Sequence, residues 1–342
     1  MAKKIIYILI VAIPLIMLSI LFFSPRGFEN FFRQLSKLSI RWLLLAAILM
    51  LLYWSFEAMA IHSISHSYNI KKRFRDSFSS VMVAQFFNSV TPFAAGGQPA
   101  QVFYMVRNGI DTGSASSIVM VRFLVYQSIL TMYSFVVMLF SYNYFRHKIN
   151  LLFTMSVLGL SVHASMIIFT ILFSYNRTLT HKIINFVFTI LKKVRIVKRV
   201  EEAEKKIEDS LANFHDNAYM LKEHPQLLFK TALLIFLQLT CFFSIPFFIY
   251  LSFGFSGTSF FYLFSAAVFI ATVISIVPLP GSAGGAEGGF YLFFGLFFSG
   301  NAIVLAILLW RIITYYSCIG VGVFFTVIPS KRRTDKKECR TT

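Results

Sequence analysis

The chain has 342 residues, of which 57% are hydrophobic, 17% aromatic and only 13% charged, and its mean hydropathy is +0.71. A soluble domain carries about 25% charged residues, so this composition excludes an ordinary soluble domain and points to an all-α polytopic membrane protein. The net charge of +18 is spread between apolar spans rather than gathered on one basic face with stacking aromatics, which argues for topology and contact with anionic lipid rather than for nucleic acid.

In chain order, MAKK precedes an apolar stretch, Ile5 to Phe23, with no small-residue cleavage site before Ser24–Pro25. It is expected to be an uncleaved first span. A second span covers roughly Arg41–Ile61 and carries Glu57 near its expected cytoplasmic end, where a carboxylate costs little. The basic run KKRFR (Lys71 to Arg75) follows.

Next comes a break, NSVTPFAAGGQPAQ (Asn88 to Gln101), inside the apolar stretch Phe78–Gly113. Lipid cannot satisfy free backbone groups, so such a break needs protein or water around it. Spans at about Ala115–Ser141 and Leu151–Phe173 come after it. The first holds Arg122 and Tyr126; the second holds His163, expected near a span end like Lys230 further on.

The charged segment Lys192 to Phe214 alternates apolar and charged residues at helical spacing and reads as a cytoplasmic connector helix. A span at Leu227–Leu251 leads to a second break, PLPGSAGGAEGG (Pro278 to Gly289), and a last span at Ala302–Val327 carries Arg311 and Tyr315. The chain ends on a basic tail. Lys and Arg crowd the termini, the Lys71 run, Arg107 and the connector, while the other side receives Arg26, Arg33, Lys37, Arg41, Arg146 and Lys148. Both termini are therefore expected in the cytoplasm.

The two breaks share one pattern. Pro92, Ala95, Gly96 and Gly97 match Pro280, Ala283, Gly284 and Gly285 as P-x-x-A-G-G. Each break precedes a Phe-Tyr pair (Phe103-Tyr104, Phe290-Tyr291) and then a span with an Arg and a Tyr four residues on. Counting sides of the membrane, the first hairpin enters from the cytoplasm and the second from outside, so the units are expected to be inverted repeats.

The expected fold is thus about six full spans plus two re-entrant broken-helix hairpins. It forms one membrane domain over 1–330, with repeats at about 41–141 and 226–328, a connector at 174–225 and a tail at 331–342. The second hairpin is the weaker expectation, because Ser259–Val277 is long enough to span.

Gly/Pro-broken segments in matching positions of two inverted halves point to a transporter's midplane site. The hinge residues are Pro92, Gly96, Gly97, Pro99, Pro278, Pro280, Gly281, Gly284 and Gly285. The glycines allow sharp turns and close approach, and the half-helix starts after each break favour an anion. Charged groups inside a span cost about 2.5–3.5 kcal/mol each on insertion scales and are functional candidates by default.

Arg122 and Arg311 are expected to grip a phosphate, with Glu287 pairing to one of them or reading an amine. Tyr126 and Tyr315 lie on the same helix faces. Asn88, Thr91 and Gln98 would complete the hydrogen bonding. No nucleotide loop, metal spacing, disulfide framework or catalytic constellation is visible, so no cofactor is expected.

At FFNSVTPFAAGGQPAQVFYMVRNGI (Phe86 to Ile110), PLPGSAGGAEGGFYLFF (Pro278 to Phe294) and WRIITYY (Trp310 to Tyr316) the chain resembles the lysylphosphatidylglycerol synthase transmembrane-region, or flippase-like, family over essentially its whole length. In two-part members such as the multiple peptide resistance factor, the resemblance implies a membrane half that flips lysyl-phosphatidylglycerol to the outer leaflet of the bacterial plasma membrane. This lowers negative surface charge and repels cationic antimicrobial peptides. Here the short tail SKRRTDKKECRTT stands where an aminoacyltransferase domain would follow.

The expectation is therefore a multi-pass protein that moves or binds a phospholipid head group. The alternative is a membrane component of phosphatidylglycerol lysyltransferase activity. Expected partners are membrane phospholipid, a separate lipid-modifying synthetase and a second copy of the chain.

Overall fold

A computed structural model describes residues 35–149, 152–176, 178–182, 224–274, 279–282, 284–300 and 302–327. The first span, the connector helix, the basic tail, Pro278 and Ala283 lie outside these residues. Every element described is helical. In chain order they are α1 (Ile40–Ser67), α2 (Phe74–Val90), α3 (Gly97–Arg107), α4 (Thr112–Arg146), α5 (Leu152–Tyr175), α6 (Pro225–Ser252), α7 (Phe260–Ile274), α8 (Gly285–Phe294), α9 (Ala302–Arg311) and α10 (Ser317–Val327). A π-helical turn, Ile312–Tyr316, joins α9 to α10.

Among the described residues, five helices are long and apolar enough to cross a membrane: α1, α4, α5, α6 and the α9–α10 rod. They lie within a few residues of the spans read from hydropathy. The protein is an all-α, multi-pass membrane protein.

The two broken segments take one form. Each is a longer arm, a single 3-10 turn and a shorter arm that packs back on the first: α2, Pro92–Ala94 and α3, then α7, Pro280–Ser282 and α8. The longer arms have 17 and 15 residues. At a rise of about 1.5 Å per residue α2 reaches about 26 Å, short of the ~30 Å hydrocarbon core.

Long-range contacts establish the inversion. The Ser39 N–H at the start of α1 donates to the Ser252 carbonyl at the end of α6 (2.9 Å). Further along, Trp42 stacks on Phe248, Tyr53 meets Phe242, and Gln238 reaches Glu57. As one index rises the other falls, so α1 and α6 are antiparallel along their lengths.

Helix α4 runs antiparallel to α7 through Ser134–Thr272, Ser141–Ser265 and Tyr144–Tyr262. Its counterpart pair, α2 and α10, does the same through Phe78–Phe325, Gly322 against Met82 and Phe86, and Cys318 near Gln85. Each packing of one half recurs in the other: α1 on α2 as α6 on α7, α3 on α4 as α8 on α9, α1 on α4 as α6 on α9. At the axis the two 3-10 tips meet. The bundle is held by apolar packing, with Ala46, Ala58, Ala60 and Ala266 fully buried at helix contacts, as expected where lipid removes the drive of water exclusion.

Candidate functional site

The tips repeat each other in backbone detail. Phe93 (φ 55°, ψ 15°) and Ala94 (φ 53°) occupy the same left-handed conformation as Gly281 (φ 58°, ψ 20°) and Ser282 (φ 50°). Non-glycine residues there cost of order 1–3 kcal/mol each, so the turn is over-determined by its surroundings.

At the first tip the Thr91 hydroxyl accepts from the Gly96 N–H (2.9 Å) and donates to the Phe87 carbonyl (2.7 Å). Thr91 therefore closes its own turn, using its one donor and one of its two acceptor lone pairs. A Cβ at Gly96 would lie 2.5 Å from the Thr91 methyl, and one at Gly97 would overlap the Asn88 amide. Asn88 and Gln98 sit half-buried beside the break. Pro99 stands exposed on the first turn of α3.

At the second tip a carboxylate, a guanidinium and a helix start converge. Arg311 Nε donates to Glu287 Oε1 (2.7 Å), and its NH1 donates to the Gly281 carbonyl (3.1 Å). Glu287 Oε2 accepts from the Gly284 N–H at the start of α8 (2.7 Å). The guanidinium lies over the Tyr315 and Trp310 rings, 5.0 and 5.3 Å from their centroids. The Tyr315 ring backs directly on Gly281, leaving no space for a side chain there. Its hydroxyl donates to the Ser89 carbonyl of α2 (3.2 Å), which ties the second half to the arm of the first hairpin. The anion-favouring helix start is thus filled by the protein's own carboxylate.

Of the two arginines expected as partners of Glu287, Arg311 takes that place and Arg122 has a different partner. Its NH2 pairs with Glu57 Oε1 (2.8 Å), not with Glu287, and it lies over the Tyr126 ring (4.9 Å). Glu57 is 1% exposed, where a place near the interface was expected. Two glutamines, one from each half, donate to its Oε2: Gln85 at 2.7 Å and Gln238 at 3.1 Å. Burial without partners would be prohibitive for a carboxylate, and these three donors offset it.

His163 is likewise no span-end group. It is buried within α5 and bonded to Gln127 of α4. Lys230 stands exposed near the start of α6.

The two arginines lie at matching positions along their helices. Arg122 lies about 15 Å from the start of α4 and Arg311 about 14 Å from the start of α9, at 1.5 Å per residue. Their centres are linked through α2, where Ser89 bonds both Tyr315 and, one turn back, the Gln85 carbonyl. Spacing alone missed Glu57, Gln85, Gln238 and Ser89 as members of this network. The lone glutamines in apolar helices were the available signal.

A sequence profile described as the lysylphosphatidylglycerol synthase transmembrane region matches residues 5–322. The chain belongs to this family. That description is of a membrane domain associated with the synthase. The chain is also similar to a UPF0104 membrane protein of Archaeoglobus fulgidus, 27% identical over 301 residues that cover 85% of this chain and 88% of that protein. Within this family frame, the inverted pair of Arg–Tyr helices and the two meeting tips are the features on which a function can be built.

Proposed function

We propose that the protein binds a phospholipid head group where the two hairpin tips meet and moves it from one leaflet to the other. The observation that carries this reading is the second tip. There a guanidinium, a helix-start N–H and two aromatic rings already hold one oxyanion, the Glu287 carboxylate. A phosphate presents the same oxygens with more charge and can displace it, leaving Glu287 to face an amine on the head group. Asn88 and Gln98 flank the first tip in the sequence. The inverted pairing supports alternation between two faces. The family's association with lysylphosphatidylglycerol makes that lipid the first substrate to try.

The plasma membrane, with both termini on its cytoplasmic side, is the setting that this reading requires. The membrane-component role in lysyltransferase chemistry has only the family description behind it.

Binding of labelled phosphatidylglycerol and its lysyl derivative to the purified chain tests the proposal. Wild type binds, and Arg311→Ala binds roughly tenfold or more weakly, equivalent to about 1.4 kcal/mol. Equal binding by Arg311→Ala would place the site elsewhere.

A further inference from the structure

The Glu57 centre is enclosed, spans both halves of the molecule and is incomplete. Three of its buried polar atoms have no hydrogen-bond partner: Gln238 Oε1, Arg122 Nε and Trp54 Nε1. The Trp54 N–H has only the Cys318 sulfur beside it, a weak acceptor. Such atoms are costly when buried and call for an explanation.

Their chemistry names what is missing. Gln238 Oε1 is an acceptor lacking a donor, on the same amide whose N–H2 already touches Glu57. A proton on Glu57, together with a turn of that amide, would supply the donor. Arg122 Nε–H is a donor lacking an acceptor and Trp54 Nε1–H has only a weak one, and the oxygens of an anion would serve both.

We infer that Glu57 is a proton-binding site whose occupancy is linked to a phosphate oxyanion held by Arg122. The argument rests on the lipid-binding reading above, with Arg122, the inverted counterpart of Arg311, as a second holding point for the same head group. A proton taken from water onto the Glu57 carboxylate removes the charge that neutralises Arg122. A lone guanidinium in this enclosure is strongly disfavoured, so protonation occurs readily only when a second anion arrives. By linkage, the phosphate and the proton each favour the other's binding. Release of one then releases the other, which couples lipid movement to a proton gradient.

Among the described residues, the titratable or charged groups facing Glu57 are Tyr53 of α1, Arg122 and Tyr126 of α4 and Cys318 of α10. Helices α2 and α6 present only the non-titrating Gln85 and Gln238. In this set Arg122 is the only cation and Glu57 the only carboxylate, so each is the other's charge partner.

Proton uptake on ligand binding tests this. The full chain in detergent and weak buffer, with a pH indicator, receives short-chain phosphatidylglycerol in one arm and inorganic phosphate in the other. Wild type takes up a proton with the bound probe, to a maximum of one per ligand, in some part of the range pH 5–8. Glu57→Gln binds with no uptake. Glu57→Asp keeps a carboxyl for Arg122, so its uptake persists over a shifted pH range. This variant keeps the assignment testable if Glu57→Gln does not fold.

Uptake with the lipid alone identifies the anion as a head group, and uptake with both probes identifies it as phosphate in general; either result supports the site. Binding without uptake, or uptake unchanged in both variants, overturns it and leaves lipid binding standing. Failure of wild type to bind either probe overturns the reading beneath it as well.

Discussion

Arg311 is fixed from three directions at once, by Glu287, the Gly281 carbonyl and two aromatic rings. Removing one partner of such a pair strands the other charge, which costs about 3–5 kcal/mol in buried pairs and less here, where Glu287 is 18% exposed. Arg311→Ala should therefore lower the thermal midpoint in detergent. The Arg311→Ala/Glu287→Ala double variant should recover part of that loss, a coupling of about 1 kcal/mol or more. Strict additivity would mean that the pair does not stabilise the tip. The Glu287–Arg311 pairing was readable from two charged residues in apolar surroundings. The Arg122–Glu57 pairing was not, because a helix spacing says nothing about which neighbouring helix supplies a partner. Glu57 looked inexpensive only because its depth was judged along its own span.

The broken hairpins act as elements because their turns are rigid. The same left-handed pair occurs in both, on Phe93–Ala94 in one and Gly281–Ser282 in the other. The two sites should answer oppositely to substitution. Phe93 is 58% exposed, so Phe93→Gly gives up little packing and relieves about 1 kcal/mol of strain. The thermal midpoint should hold or rise. Gly281→Ala drives a methyl into Tyr315 and should lower it, by about 1–3 kcal/mol on the scale of overpacked sites. A drop for Phe93→Gly matching that of Gly281→Ala would deny the tips their shared geometry. Glycine and proline in a repeated pattern made both turns legible in the sequence. The π turn after Arg311 had no such signal: Ile312–Tyr316 holds neither glycine nor proline to mark it.

Across the whole molecule, inversion fixes which loops share a face. The Ser39–Ser252 hydrogen bond puts the start of α1 and the end of α6 together. The loop between α1 and α2 and the loop between α3 and α4 lie together as well, where Lys72 Nζ donates to the Asn108 carbonyl (2.8 Å). Single cysteines at Lys37 and Ser256 should accordingly be labelled from one side of a sealed vesicle, and those at Asn69 and Gly109 from the other. Labelling of Lys37 and Ser256 from opposite sides would break the inverted arrangement. Its outline was visible beforehand, since two matching breaks and the segregation of basic residues define the halves. The contact between the tips was not, because no local pattern records where two distant turns meet.

The central claim, that the meeting tips carry a lipid head group across the bilayer, is tested most directly by leaflet-resolved movement of labelled phospholipids in vesicles holding the full chain. Lysyl-phosphatidylglycerol and phosphatidylglycerol should be tried first. The account predicts movement by wild type well above protein-free vesicles, and its loss in both Arg311→Ala and Glu287→Gln. Movement by wild type that persists unchanged in both variants would contradict the account.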